Sequence, residues 1–221
     1  MASAEQEDLD VKADRSMVAV LVAAYLASAC SASKHYESVD AGRKAKLEGS
    51  VVVEWMGPDK FLFVPKAGNE LRFIRSTGEE IQPKKMFTDG GSVPRPFWIL
   101  KNYSPWGYGP AFVIHDWLFH MQDCKIDGWE TWTIEEAALV MSEVMKVMML
   151  TPGFDFGDKS TVYLMYRAVQ TAPARESWAD GRCTEQRDLA DNWMPEGRVE
   201  ISFDSAADRK GGSPPVAQPG R

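Results

Sequence analysis

Between Thr88 and Pro110 the chain changes its hydrophobic period, and that change limits the possible folds more than any other feature. Before it, Val51–Met56 and Phe61–Val64 are short β-rich runs joined by Gly57-Pro58-Asp59, and Glu70–Ile74 is a third. Thr77-Gly78 makes the next turn, and Glu80–Phe87, interrupted by Pro83, reads as an edge strand. After it, apolar residues recur at helical spacing over Ala111–Met121, Thr133–Met149 and Asp158–Gln170. Strands followed by helices, with little alternation between them, predict an α+β fold: a small antiparallel β-meander packed against about three helices. Thr133 with Glu136 forms a capping box, Pro152-Gly153 closes that helix, and Asp158 caps the next. Ile134, Ala137, Ala138, Met141, Val144, Met145 and Met148 form its apolar face, with Glu135, Ser142, Glu143 and Lys146 assigned to a polar one.

The connecting stretch also carries the candidate chemistry. Thr88-Asp89-Gly90-Gly91-Ser92 is a polar turn whose glycines permit close backbone approach, and Val93-Pro94-Arg95-Pro96 forces an extended exit. Pro110 suits a first helical turn, and the helix behind it carries His115, Asp116 and His120. Asp116 and His120 are four apart and share a face, whereas His115 and Asp116 diverge by about 100° around the axis. The dyad therefore needs a partner from elsewhere, and Asp89 is the candidate. A histidine polarised by a carboxylate serves as a general base, so the catalytic set is His115, Asp116 and Asp89. Gly90, Gly91, Ser92, Arg95 and His120 are candidate binding residues, and Asp89 and Asp116 with main-chain carbonyls suit a divalent cation. The alternative is that Asp89 caps the turn, His115 packs in the core and Asp116 with His120 makes a helix-surface pair. Ser92 lacks the strand-to-helix elbow of a nucleophilic serine.

Thr88-Asp89-Gly90-Gly91-Ser92-Val93-Pro94-Arg95, then His115-Asp116-Trp117-Leu118-Phe119, then Met165-Tyr166-Arg167-Ala168-Val169 resemble, in order and spacing, the bacterial and phage family called domain of unknown function 1353. The resemblance covers roughly residues 47 to 172. Gly91 stands where the family usually has Ala, Phe119 where it often has Tyr, and Lys85 near a frequent Gly. The acidic residue of the following helix falls on Ala138, unless Glu135 or Glu136 takes its part. The His-Asp pair is also similar to that of phospholipases A2, in which the histidine activates water and the adjacent aspartate helps to bind calcium. These resemblances imply a small hydrolase-like domain, divalent-metal-assisted in one version. The rival expectation is a non-catalytic envelope or phage-derived assembly or binding module from a tail or lysis cluster, with envelope or phage structural proteins as partners.

The rest of the chain bounds the setting. With 221 residues, 44% hydrophobic and 26% charged, one domain plus tails is expected. A formal net charge of −7 argues against a nucleic-acid partner, since phosphate binding needs clustered Lys and Arg. The eight tryptophans and eleven methionines predict an aromatic and thioether-rich core. Residues 1–16 read as a disordered N-terminus, and residues 17–30 as a signal or lipoprotein-like segment, with Leu26-Ala27-Ser28-Ala29 preceding Cys30 as the lipidation site. On that reading the protein is lipid-anchored at the bacterial cell envelope. Without processing it is cytoplasmic or virion-associated. Residues 31–46 read as a solvated linker in which His35 has no role, 47–172 as the single α+β domain, and 173–221 as a polar, largely disordered C-terminal extension. Cys124 and Cys183 could pair in an oxidising compartment, but the sequence leaves this open.

Overall fold

The sheet is built on β1 (Lys46–Gly57), a strand long enough to serve three partners. In this computed structural model, which describes residues 29–41, 44–57, 60–88, 107–154, 158–183 and 197–203, its first residues pair with β3 (Arg72–Ile74), from Lys46↔Ile74 to Glu48↔Arg72. Its last residues pair with β2 (Lys60–Phe63), from Val53↔Phe63 to Gly57↔Lys60. All three pairings of β1 are antiparallel, the third being Gly49–Trp55 with β6 (Gly197–Phe203). Gly49 sits where the β3 pairing ends, at φ +91°, and a Cβ there would lie 2.0 Å from the Glu70 carbonyl oxygen. Both the dihedral and the space exclude any side chain.

β4 (Glu80–Ile81) extends the sheet beyond β3, and β5 (Met86–Thr88) extends it beyond β2. The Glu80–Phe87 edge strand expected from the sequence is thus two strands at opposite ends of the sheet. Pro83 lies in the gap, where it has no N–H to offer a ladder and is itself buried. The chain thereby crosses the sheet, and Thr88 arrives at the far end.

The helices lie where the period predicted them: α2 (Gly109–Cys124), α3 (Ile134–Leu150) and α4 (Lys159–Ala168). At the start of α3 the Glu136 N–H donates to Thr133 Oγ1 (3.2 Å), and the Thr133 N–H donates back to Glu136 Oε2 (3.0 Å). Asp158 Oδ1 accepts from the Thr161 N–H at 2.7 Å and starts α4. Val51, Val53, Phe63, Phe73 and Met86 from the sheet meet Phe112, Ile114 and Leu118 of α2, Met141, Met145 and Met148 of α3, and Val162 and Met165 of α4 in one core. The fold is α+β.

Three segments differ from expectation. The linker is in part a helix, α1 (29–38), packed on α3 and α4. Lys146 Nζ donates to the carbonyls of Tyr36 (2.6 Å) and Val39 (2.8 Å), satisfying acceptors that a helix end leaves open. His35 stacks on Tyr166, with centroids 4.2 Å apart, and its Nε2 lies 3.2 Å from Ser142 Oγ. Ser142 and Glu143, assigned to a polar face of α3, are buried instead. Glu143 takes two hydrogen bonds from Arg75, Nε to Oε2 and Nη2 to Oε1, each 2.8 Å. A buried carboxylate persists here because a guanidinium matches it in charge and fork geometry. The polar C-terminal segment carries α5 (Ala172–Asp180) as well as β6. Cys124 and Cys183 form a disulfide that ties the residues after α5 to the end of α2.

Residues 1–28 and 204–221 lie outside the described residues, and with them most of the N-terminal apolar segment and the C-terminal tail. Among the described residues, no helix is long and apolar enough to cross a membrane.

Candidate functional site

β5 and α2 bring the candidate residues together. In β5, Met86 and Thr88 are buried and Phe87 is not, so Thr88 shares the inward face with a core methionine. Its hydroxyl donates to Asp116 Oδ2 of α2 at 2.5 Å. The other carboxylate oxygen, Oδ1, lies 3.4 Å from His115 Nδ1, the outer limit of a hydrogen bond. A residue late in the sheet, a carboxylate and an imidazole thus form a row, Thr88–Asp116–His115.

The far end of that row carries the chemical information. The His115 side chain is 6% exposed. Its ring lies 4.8 Å from that of Phe119, one turn along α2. His115 Nε2 is buried and has no hydrogen-bond partner among the described residues. An unsatisfied buried polar atom costs roughly 1–3 kcal/mol, so its retention calls for an explanation. With the proton on Nδ1 facing Asp116, Nε2 bears an unshared pair. This is the tautomer that a general base or a neutral imidazole ligand requires.

The sequence candidates separate on this geometry. His115 and Asp116 belong to the row. Asp89, Gly90, Gly91, Ser92 and Arg95 lie outside the described residues. His120, expected to share a face with Asp116, rests with its Nδ1 3.7 Å from Cys124 Sγ and its ring 5.6 Å from Trp117, and burial lowers its pKa. Asp116 has one oxygen toward Thr88 and one toward His115. Among the described residues, no three His, Cys, Asp or Glu side chains are placed to hold a metal ion. Cys30, the candidate lipidation site, is exposed and unpaired within α1.

Thr88 is the member that sequence reasoning missed. The sequence pattern places it first in a polar turn, yet its alternation with Met86 across Phe87 signals an inward-facing strand residue.

Residues 68–169 match the family model described as a protein of unknown function, DUF1353. This is the family that the TDGGSVPR and HDWLF motifs resemble, and the match runs from β3 through α4. It is narrower than the 47–172 read from the motifs: β1 and β2 lie outside it, as do α1, α5 and β6. Thr88, Asp116 and His115 fall within the DUF1353 portion, whereas Cys183 does not. No curated protein and no solved structure gives a significant match.

Proposed function

We propose that the DUF1353 portion is a small hydrolase-like domain in which His115 acts as general base. Asp116 holds the imidazole in its Nδ1–H tautomer, and Thr88 holds Asp116. The observation that carries this reading is the buried, unpartnered Nε2 of His115 at the end of an otherwise bonded row. A bracing histidine would spend both ring nitrogens on protein partners, whereas one kept for chemistry leaves a lone pair for the proton of a water or alcohol. Asp89, next to Thr88 in the sequence, is the second carboxylate of this proposal, for the attacking water or a divalent cation. With a cation bound, Asp89 would supply the hard oxygen ligand, and the metal would lower the pKa of a bound water.

The same proposal sets the protein at a bacterial envelope, anchored through lipidated Cys30. The Cys124–Cys183 disulfide supports an oxidising compartment, where such bonds persist. The test is a screen of esters, phosphoesters and peptides, with and without divalent ions, on purified protein beside His115→Gln, Asp116→Asn and Asp89→Asn. His115→Gln should preserve folding and lower any turnover by about 10² to 10⁴, the usual range for positioned acid–base catalysis. A wild-type protein that turns over nothing and binds no divalent ion, with all three variants merely destabilised, would leave the assembly or binding module as the reading.

A further inference from the structure

We infer that α5 is a redox-released strap over the His115 face of α2. The covering is a stack of three rings. Trp178 of α5 meets Phe119 edge-on at 4.8 Å and 84°, and Phe119 in turn lies 4.8 Å from His115. Yet α5 buries none of its residues, so apart from Trp178 it has little hold on the body of the protein. Among the described residues its other ties are a 3.4 Å hydrogen bond from Gln122 Nε2 to the Trp178 carbonyl, an exposed Arg175–Glu135 ion pair and a 3.1 Å hydrogen bond from Arg175 Nε to the Gln170 carbonyl just before it.

One group opposes the docking. Asp123 has a buried carboxylate oxygen, Oδ1, with no hydrogen-bond partner among the described residues, and burial raises its pKa. It is pressed against the end of α5 so closely that a Cβ on Gly181 would fall 1.7 Å from that oxygen and 2.6 Å from the Ser177 carbonyl oxygen. Closing the strap desolvates a carboxylate beside helix C-terminal carbonyls, which carry the same sign of partial charge. What holds the strap down is covalent: the Cys124–Cys183 bond, whose Cys183 end is exposed to a reductant.

Release is ordinary thiol–disulfide exchange. A thiolate of a dithiol reductant attacks Cys183 Sγ, forms a mixed disulfide and expels the Cys124 thiolate. The reductant's second thiol then displaces Cys183, so the reductant becomes a disulfide, and two electrons and two protons pass to the two cysteines. The freed α5 moves off Phe119, and Phe119 no longer closes the way to His115. The strap lies outside residues 68–169, as an addition to the DUF1353 portion.

The inference rests on the general-base reading only for its consequence, because the test reads access and not turnover. Oxidised and dithiol-treated full-length protein are compared by hydrogen exchange and by acylation with diethyl pyrocarbonate, mapped by peptide mass spectrometry. Reduction should speed exchange in 172–180 by roughly tenfold or more while α3 keeps its protection, as expected for a locally opening unit. Acylation of His115 should rise in parallel, with His35, a residue of α1 stacked on Tyr166, as the unchanged internal standard. Cys183→Ser should reproduce both effects without reductant, and Trp178→Ala should speed His115 acylation with the disulfide intact. Unchanged α5 exchange or unchanged His115 acylation after reduction would overturn the inference. So would loss of α3 protection together with that of α5, because the bond would then hold the whole fold.

Discussion

Removing Glu143 tests whether its buried ion pair with Arg75 anchors the β3–β4 hairpin to α3. Glu143 is 5% and Arg75 12% exposed at the side chain, and two of their hydrogen bonds measure 2.8 Å. Hydrogen bonding to Glu143 raises the Arg75 pKa, and arginine stays protonated even without that partner, so truncation leaves a charge that cannot neutralise itself. Removing one partner of a buried pair typically costs about 3–5 kcal/mol. Arg75 Nη1 keeps its 2.8 Å bond to Glu79, whose side chain is 41% exposed, so Glu143→Ala should fall at the low end, about 3 kcal/mol. Urea unfolding followed by circular dichroism measures this as a lower midpoint at unchanged slope. Arg75→Met with Glu143→Leu should recover most of the loss, because an apolar pair of similar volume incurs no desolvation penalty. A loss below about 1 kcal/mol for Glu143→Ala would mean that the pair behaves like a surface ion pair and does not anchor the β3–β4 hairpin.

Burial lowers the pKa of both His35 and His120, so the unfolded chain binds more protons than the folded one below the ordinary value of 6.5. Their contribution to stability is therefore full above 6.5 and shrinks as pH falls toward the folded values, and His35→Phe should flatten that slope in unfolding curves. Asp123 runs the other way: its raised pKa means stability lost as pH rises past 3.8, and Asp123→Asn should raise the urea midpoint at neutral pH. Gly49→Ala should destabilise by about 3 kcal/mol or more, since a strained φ is joined by a clash with the Glu70 backbone. Failure to detect that loss by thermal melting would contradict the path of β1.

What the sequence revealed followed from local chemistry. The α3 capping box, the Asp158 cap and the methionine stripe of α3 are contained in windows of a few residues, and each is where the pattern put it. The misreadings were long-range. Glu143 looks solvated until Arg75, 68 residues earlier, is known to meet it. Likewise, Ser38 and Glu37 make α1 look like a linker, because Lys146, which serves its C-terminal carbonyls, lies over a hundred residues away. β6 falls within the segment read as a polar, largely disordered extension, because its partner strand is about 150 positions earlier. Within the site, the motifs singled out His115 and Asp116. Only the pairing of β5 with β2 showed that Thr88 is the residue that holds the carboxylate.

The central claim is that Asp116 and Thr88 keep the His115 proton on Nδ1 and leave Nε2 bare. Nitrogen-15 correlation spectroscopy of the histidine rings at neutral pH reads this directly and needs no substrate. The account predicts that the neutral form of wild-type His115 is the Nδ1–H tautomer, with the Nε2–H form gaining population in Asp116→Asn and, to a smaller degree, in Thr88→Val, as the hydrogen bond that selects the tautomer is weakened. A wild-type His115 that carries its proton on Nε2 would contradict it.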